Sequence, residues 1–251
     1  MWDEKHVQEY EYWHATKAGE FALRQEKRLL ESMVSGWPRR GRSLLEVGCG
    51  PGYFLEMLWE AGFDVTGLDR STAMLEAAHG RLGHKAELNV GNGEHLPYED
   101  NRFDYVVLLA SLEFMEDPET ALEEAFRVAA RGVLVGFLNR WSLYYLTRGR
   151  PCLKKSDTDK SGTLRKANWF SPLKLRSMLR EVVGDKPMTM RSVLAGPVFS
   201  WRDFLPCALC NGWISPLPFG GYAAIRVDLV NIAPVTPIMA KAEAVKTAPT
   251  A

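Results

Sequence analysis

The chain has little cysteine, no excess charge of either sign and no uninterrupted apolar run long enough to cross a membrane. Lysine and arginine together number 31, as do aspartate and glutamate, so the net charge of zero excludes a global attraction to polyanions. Residues 204–225 carry no charged side chain, but three prolines and three glycines among them forbid a spanning helix. The charged N-terminus is unlike a signal peptide. We therefore expect a cytoplasmic protein without a transmembrane segment.

The four cysteines do not form a pattern typical of disulfide-rich or zinc-binding chains. They are too few for a disulfide framework in a chain of 251 residues. Cys207 and Cys210 make one Cys-x-x-Cys pair, and no second pair or close pair of histidines follows to complete four zinc ligands. We expect no metal site and interpret both cysteines as small buried side chains.

Short apolar runs alternate with amphipathic segments through the first half of the chain. The runs predict strands at residues 43–47, 64–68, 86–90, 104–109 and 132–137, and later at 188–194 and 222–230. This alternation predicts an α/β fold, with a mostly parallel sheet and helices on both faces. The expected organisation is a helical leader at 1–36, a main domain at 37–231 with inserts at 139–169 and 195–221, and a disordered tail at 232–251.

A glycine-rich turn follows the first predicted strand. Gly48, Gly50 and Gly52 leave no Cβ between the backbone and a ligand, and the carboxyl end of a strand borders the crevice in which open α/β sheets bind ligands. Asp69 comes 17 residues after Gly52, at the end of the next strand. A carboxylate there can accept hydrogen bonds from both hydroxyls of a ribose. The pattern predicts a cofactor that contains a nucleoside.

The order of residues in the turn separates two classes of cofactor. The dinucleotide fingerprint G-x-G-x-x-G fails, because its last position falls on Tyr53 or Leu55. The chain instead reads E-x-G-x-G-x-G, and carboxylates at Glu46 and Asp69 suit a cationic ligand without phosphate better than a pyrophosphate. A nicotinamide-dependent oxidoreductase stays open as the alternative.

Three stretches resemble motifs of the class I S-adenosylmethionine (SAM)-dependent methyltransferases. LLEVGCGPGYFLEML at 44–58 resembles motif I, and LDRSTAMLEAA at 68–78 resembles the motif whose acid binds the ribose. Residues 91–128 resemble the third and fourth motifs of the branch that includes the ubiquinone and menaquinone methyltransferases. The resemblance implies a Rossmann-like, seven-stranded, mostly parallel sheet and an enzyme that uses SAM and releases S-adenosylhomocysteine. A non-catalytic SAM-binding module is the second alternative.

The resemblance also implies the cofactor contacts residue by residue. Glu46 would face the amino end of SAM, the three glycines would pass beneath its methionine, and Asp69 would bind the ribose. The other implied contacts are Arg70 and Met74 near the adenine, Asn92, Gly93 and Glu94 beside it, and Leu109, Ala110 and Ser111 along the cleft. Asn92 stands where relatives carry an aspartate, so it keeps the hydrogen bonding and loses the charge. Tyr12 and Trp13 resemble leader aromatics that fold over the cofactor, or they pack the first helix.

The chemistry of methyl transfer needs a base only if the acceptor must lose a proton before it attacks. Candidate bases are His14, His95, Glu113 and Tyr144, and each has an ordinary structural interpretation beside the catalytic one.

The acceptor side is predicted from the two inserts. Trp201, Phe204 and Trp213 belong to the second insert, at 195–221, which we expect to form an apolar lid. Residues 140–186 carry twelve bases against four acids, which could meet an anionic group or lipid headgroups and leaves contact with a membrane surface open. We expect a small, partly apolar acceptor. No nucleic acid is expected, because the fourth strand lacks the Asn-Pro-Pro-Tyr/Phe signature of base methylation.

Overall fold

The computed structural model of the protein describes residues 2–150 and 163–230, so the predicted tail at 232–251 lies outside the described residues. The strands are β1 Ser43–Val47, β2 Asp64–Asp69, β3 Ala86–Val90, β4 Phe103–Leu109, β5 Ala129–Leu138, β6 Met188–Val193 and β7 Tyr222–Asp228. The helices are α1 Glu4–Ala15, α2 Lys17–Val34, α3 Tyr53–Glu60, α4 Thr72–Leu82, α5 Pro118–Val128, α6 Thr163–Lys166, α7 Pro172–Val183 and α8 Leu205–Gly212.

The strands form one seven-stranded sheet in the order β3-β2-β1-β4-β5-β7-β6. Strands β1 to β5 pair in parallel, whereas β7 runs antiparallel to both β5 and β6. The predicted mostly parallel sheet is therefore confirmed. The strand order reverses between β1 and β4, and such a switch point opens a crevice at the carboxyl ends of the strands.

Local sequence signals account for where the helices begin. The Ser71 hydroxyl accepts a hydrogen bond from Met74 N at the start of α4, and the Asp117 carboxylate caps α5 ahead of Pro118. Helix α5 ends at Val128, because Ala129 already pairs with Phe103 in the sheet.

Helices cover the sheet on both faces. Tyr105 and Val107 of β4 pack into a core with α2 and α3, while Val106 and Leu108 pack against α5 and α7 on the opposite face. The ring of Trp37, between α2 and β1, stacks on Tyr105 at 4.2 Å between ring centroids. Burial on both faces holds β4 firmly, and its carboxyl end borders the candidate site.

The second insert contains one short helix and departs from its prediction at its two cysteines. Its segment 205–212 forms the short helix α8, which begins with Pro206 in its first turn. Cys210 is exposed and Cys207 half-buried, so the interpretation of both as buried side chains is wrong. Within the described ranges, no helix is long and apolar enough to cross a membrane.

Candidate active site

The glycine turn between β1 and α3 requires glycine for two separate reasons. Gly48, Gly50 and Gly52 have φ values of +74°, +51° and +80°, a region that other residues adopt at a cost. A Cβ on Gly48 would also lie 2.5 Å from the Cβ of Ser111. The backbone N–H of Gly48 donates to Leu68 O at 2.7 Å, which ties the turn to the end of β2.

Asp69, the last residue of β2, connects two loops with its carboxylate. One oxygen accepts a hydrogen bond from Gly50 N at 2.8 Å and the other accepts one from Ser71 N at 2.9 Å. Burial raises the pKa of Asp69 above its ordinary value, and these two N–H donors partly oppose that rise. The acid predicted to bind a ribose therefore also holds the glycine turn in place.

Glu46 is a buried acid with an unsatisfied oxygen. Its side chain is 1% exposed, and Oε2 has no hydrogen-bond partner in the described part of the chain. Burial, with a smaller contribution from the charge of Asp69, raises the pKa of Glu46 well above its usual range. Leaving such a group unpaired is costly, so its position suggests a cationic or hydrogen-bonding ligand.

A cavity, which we call the strand-end cavity, opens beside these residues at the carboxyl ends of β1, β2 and β4. Twelve of the predicted cofactor residues line it: Glu46, Gly48, Gly50, Asp69, Arg70, Met74, Asn92, Gly93, Glu94, Leu109, Ala110 and Ser111. Aromatic side chains, among them Trp2, Tyr10 and Phe114, complete its wall.

Three predicted cofactor residues are not in that wall. Gly52 faces Ala78 and Leu82 of α4, Tyr12 is 60% exposed, and Trp13 lines a second cavity. Two other aromatic residues of the leader, Trp2 and Tyr10, line the strand-end cavity instead. Helical spacing could have found this, because residues 6, 10, 13 and 14 share one face of α1 and residue 12 does not.

Glu94 has a structural task in addition to its place in the cavity wall. Its Oε1 accepts hydrogen bonds from Glu116 N at 2.7 Å and Asp117 N at 3.0 Å. These bonds lower the pKa of Glu94. The Asn92 side chain in turn accepts a bond from Glu94 N at 3.2 Å, so the turn after β3 is held against the start of α5.

The second cavity, which we call the aromatic cavity, adjoins the first. The two share Trp2, Tyr10, Ala110 and Phe114 as wall residues. The aromatic cavity is further lined by His6, Glu9, Trp13, His14, Ala22, Glu26, Leu138, Tyr144, Arg148, Thr163, Leu164 and Trp201. Ala110, at the junction, has a φ of +50°, an uncommon conformation for a residue that is not glycine.

The candidate bases are distributed unevenly. His14 and Tyr144 line the aromatic cavity, and burial lowers the pKa of His14 to about 4, so its ring is neutral at pH 7. Glu113 lines neither cavity: it is 1% exposed and accepts a hydrogen bond from Leu138 N, and burial raises its pKa to about 7. His95 is exposed. The geometry keeps His14 and Tyr144 as candidates and gives Glu113 a structural position.

The predicted lid is only partly present. Trp201 is 2% exposed and lines the aromatic cavity, with its ring 4.8 Å from that of Tyr144. Phe204 and Trp213 are 65% and 63% exposed and line neither cavity. Sequence reasoning also missed Glu26, an acid of α2 in the wall of the aromatic cavity. Its signal was weak, because one acid in an amphipathic helix usually faces solvent.

Comparison with known proteins identifies the family to which the sequence is similar. Residues 45–137 match a family described as a methyltransferase domain. An uncharacterized protein of Methanocaldococcus jannaschii is 30% identical over 182 residues, which are 71% of this chain and 78% of that protein. A ubiquinone biosynthesis O-methyltransferase of Alkalilimnicola ehrlichii is 38% identical over 42% of this chain and 45% of its own length.

Solved structures share the fold over most of the chain. A SAM-dependent methyltransferase from Thermotoga maritima, described as a possible histamine N-methyltransferase, superposes with a TM-score of 0.71 and 24% identity. The superposition covers 91% of this chain and 99% of that one. The fold is Rossmann-like, and the strand-end cavity lies at the switch point of its sheet, where open α/β sheets bind their ligands. The chain belongs to the class I SAM-dependent methyltransferases, whose cofactor is SAM.

Proposed function

We propose that this protein transfers a methyl group from SAM to a small, partly apolar acceptor. The observation that carries the proposal is the adjacency of two unlike cavities, which share Trp2, Tyr10, Ala110 and Phe114. The strand-end cavity has the residues for a nucleoside cofactor. The aromatic cavity offers a largely apolar space beside it, and its aromatic lining suits a small molecule.

The cofactor residues have distinct tasks in this proposal. Glu46 pairs with the cationic amino end of SAM, which satisfies its open oxygen. Asp69 binds the ribose hydroxyls with the lone pairs that its two backbone hydrogen bonds leave free. The adenine lies among Arg70, Met74 and the turn at 92–94.

The reaction is an in-line displacement at the methyl carbon. The electron pair of the acceptor atom forms the new bond, the carbon–sulfur bond breaks, and its electrons return to sulfur, which leaves as neutral S-adenosylhomocysteine. The protein contributes mainly by positioning the two reactants and excluding water. The aromatic walls on both sides of Ala110 fit that task.

The test has two stages. Isothermal titration should show micromolar SAM binding, and incubation with methyl-labelled SAM and an extract of small metabolites should yield a labelled product. Absence of SAM binding would contradict the proposal. Binding without transfer to any fraction would favour the non-catalytic SAM-binding module.

A further inference from the structure

The aromatic cavity combines flat rings with one unpaired acid. Six of its wall residues are aromatic: Trp2, Tyr10, Trp13, Phe114, Tyr144 and Trp201. Several of these rings contact one another, with centroids 4.8 Å apart for Tyr144 and Trp201 and 5.0 Å apart for Trp2 and Phe114. Rings arranged around a space present their negative faces or their edges to an occupant, and the faces attract cations.

Glu26 is the acid in this wall. No hydrogen bond or ion pair joins its carboxylate to another residue of the described ranges, although the residue is half-buried in the cavity wall. Arg28, two residues further along α2, donates instead to Gln25 at 2.8 Å. Burial raises the pKa of Glu26 to about 7. Within the described part of the chain, this half-buried acid has no counter-charge of the kind that withdrawn carboxylates normally have.

The other charged and titratable groups in the described wall do not supply that counter-charge to Glu26. His6 pairs with Asp3 at 2.7 Å, and Glu9 is a second acid in the wall. His14 is neutral at pH 7, and Tyr10 lies close enough for the charge of Glu26 to contribute to the rise in its pKa. Arg148 is the single guanidinium among the described wall residues. Among the described wall residues, two acids, Glu9 and Glu26, therefore accompany one permanent cation, Arg148.

We infer that the methyl acceptor is an amine with an apolar, ring-sized body, whose ammonium group lies between the Glu26 carboxylate and the aromatic rings. This inference rests on the proposed function and specifies its substrate class. A bound ammonium gives Glu26 its counter-charge and gains cation–π attraction from the rings. A neutral or anionic acceptor of the same shape does neither.

The same pair serves the chemistry, because an ammonium has no electron pair with which to attack. One N–H proton passes from the bound ammonium to the Glu26 carboxylate, and the freed lone pair forms the nitrogen–carbon bond as the carbon–sulfur bond breaks. The products are a methylated ammonium, S-adenosylhomocysteine and a protonated Glu26, which returns its proton to solvent. A carboxyl whose pKa lies near the working pH can both accept and release that proton.

Matched probes test the inference on the intact protein saturated with S-adenosylhomocysteine. 2-Phenylethylamine and tryptamine are titrated beside 2-phenylethanol, which has the same skeleton as the first amine without the charge. We expect the amine to bind at least tenfold more tightly than the alcohol. With methyl-labelled SAM, we expect N-methylated products and no O-methylated ones.

The variant Glu26→Gln removes the charge at nearly constant shape, and Glu31→Gln on the exposed side of the same helix is its control. Glu26→Gln should abolish the preference for the amine while the SAM dissociation constant stays within twofold, and Glu31→Gln should change neither. Equal binding of amine and alcohol to the unmodified protein would overturn the inference even if the variant failed to fold. Labelled transfer to phenols or alcohols alone would contradict the inference of an amine acceptor and would still agree with the proposed function. Failure to bind SAM would contradict both the inference and the proposed function.

Discussion

The two adjoining cavities are built in opposite ways. The strand-end cavity owes its shape largely to backbone turns at the ends of neighbouring strands, within residues 46–115 apart from two leader aromatics. The aromatic cavity owes its shape to side chains from α1, α2 and segments as distant as Tyr144 and Trp201. A backbone turn constrains the residue types that can form it, whereas an apolar wall accepts many side chains. The wall residues of the strand-end cavity can therefore be predicted from short sequence motifs. Those of the aromatic cavity come together only in the folded chain.

The largest expected effect lies in the backbone of the strand-end cavity. Gly48→Ala should lower the free energy of unfolding by about 2–5 kcal/mol, because strain at positive φ adds to the clash with Ser111. Gly41→Ala is the matched control: its φ is +64° but a Cβ there meets nothing within 4 Å, so only about 1–2 kcal/mol should be lost. Denaturant unfolding measures both. Equal losses would show that the close approach to Ser111 is unimportant.

Asp69 should have the next largest effect, on cofactor binding. Asp69→Ala removes the proposed ribose acceptor and the two hydrogen bonds that hold the turn, so SAM affinity should fall by about 1.5–3 kcal/mol. Titration calorimetry gives the value. Asp64→Ala, at the exposed start of the same strand, should leave the affinity unchanged. If both variants bound SAM like the unmodified protein, the ribose assignment would be wrong.

The buried carboxyl of Glu46 should make SAM affinity depend on pH. Burial keeps its carboxyl protonated to a higher pH than usual in the free protein, and a cationic ligand favours the ionised form. SAM binding should therefore release a proton, and SAM affinity should rise as the pH rises through the pKa of the free protein. Calorimetry in buffers of different ionisation enthalpy counts the proton.

Glu46→Gln should remove the proton release and weaken SAM binding about tenfold above that pKa, the scale of one charge-assisted hydrogen bond. Glu60→Gln, at the exposed end of α3, is the control. Proton release that persists in the Glu46 variant would assign it to another group.

The smallest effect separates the two tryptophans of the second insert. Trp213→Ser should change unfolding free energy by less than about 0.5 kcal/mol and leave acceptor binding as it was, because the side chain is 63% exposed and lines neither cavity. Trp201→Leu should weaken acceptor binding severalfold without affecting SAM. A loss of acceptor binding in the Trp213 variant would restore the larger lid that the sequence suggested.

The sequence predicts the strand-end cavity better than the aromatic cavity. Twelve cofactor residues were found because turns and strand ends depend on neighbours along the chain. Tyr12 is favoured over Tyr10 by the resemblance of the leader alone, although helical spacing places Tyr10, and not Tyr12, on the face of α1 that carries Trp13. Glu26 could not be distinguished from a solvated acid, since its place in the cavity wall depends on segments that are distant along the chain. Phe204 and Trp213 were assigned to a lid from their apolarity, which does not specify what they cover.

The leader connects the two cavities in a way that affects their energetics. Trp2 and Tyr10 belong to both walls, and none of the twelve residues of α1 is fully buried. Polar contacts attach the leader to α4. Ser71 Oγ, at the N-cap of α4, donates to Trp2 O at 2.8 Å, and Arg81 of α4 lies 3.8 Å from Glu11. Two ligands that each favour the same placement of a shared element raise one another's affinity by an equal factor, because linkage is reciprocal. Cofactor and acceptor should therefore bind cooperatively. The shared element is the leader with Trp2 and Tyr10, whose helix α1 has no fully buried residue.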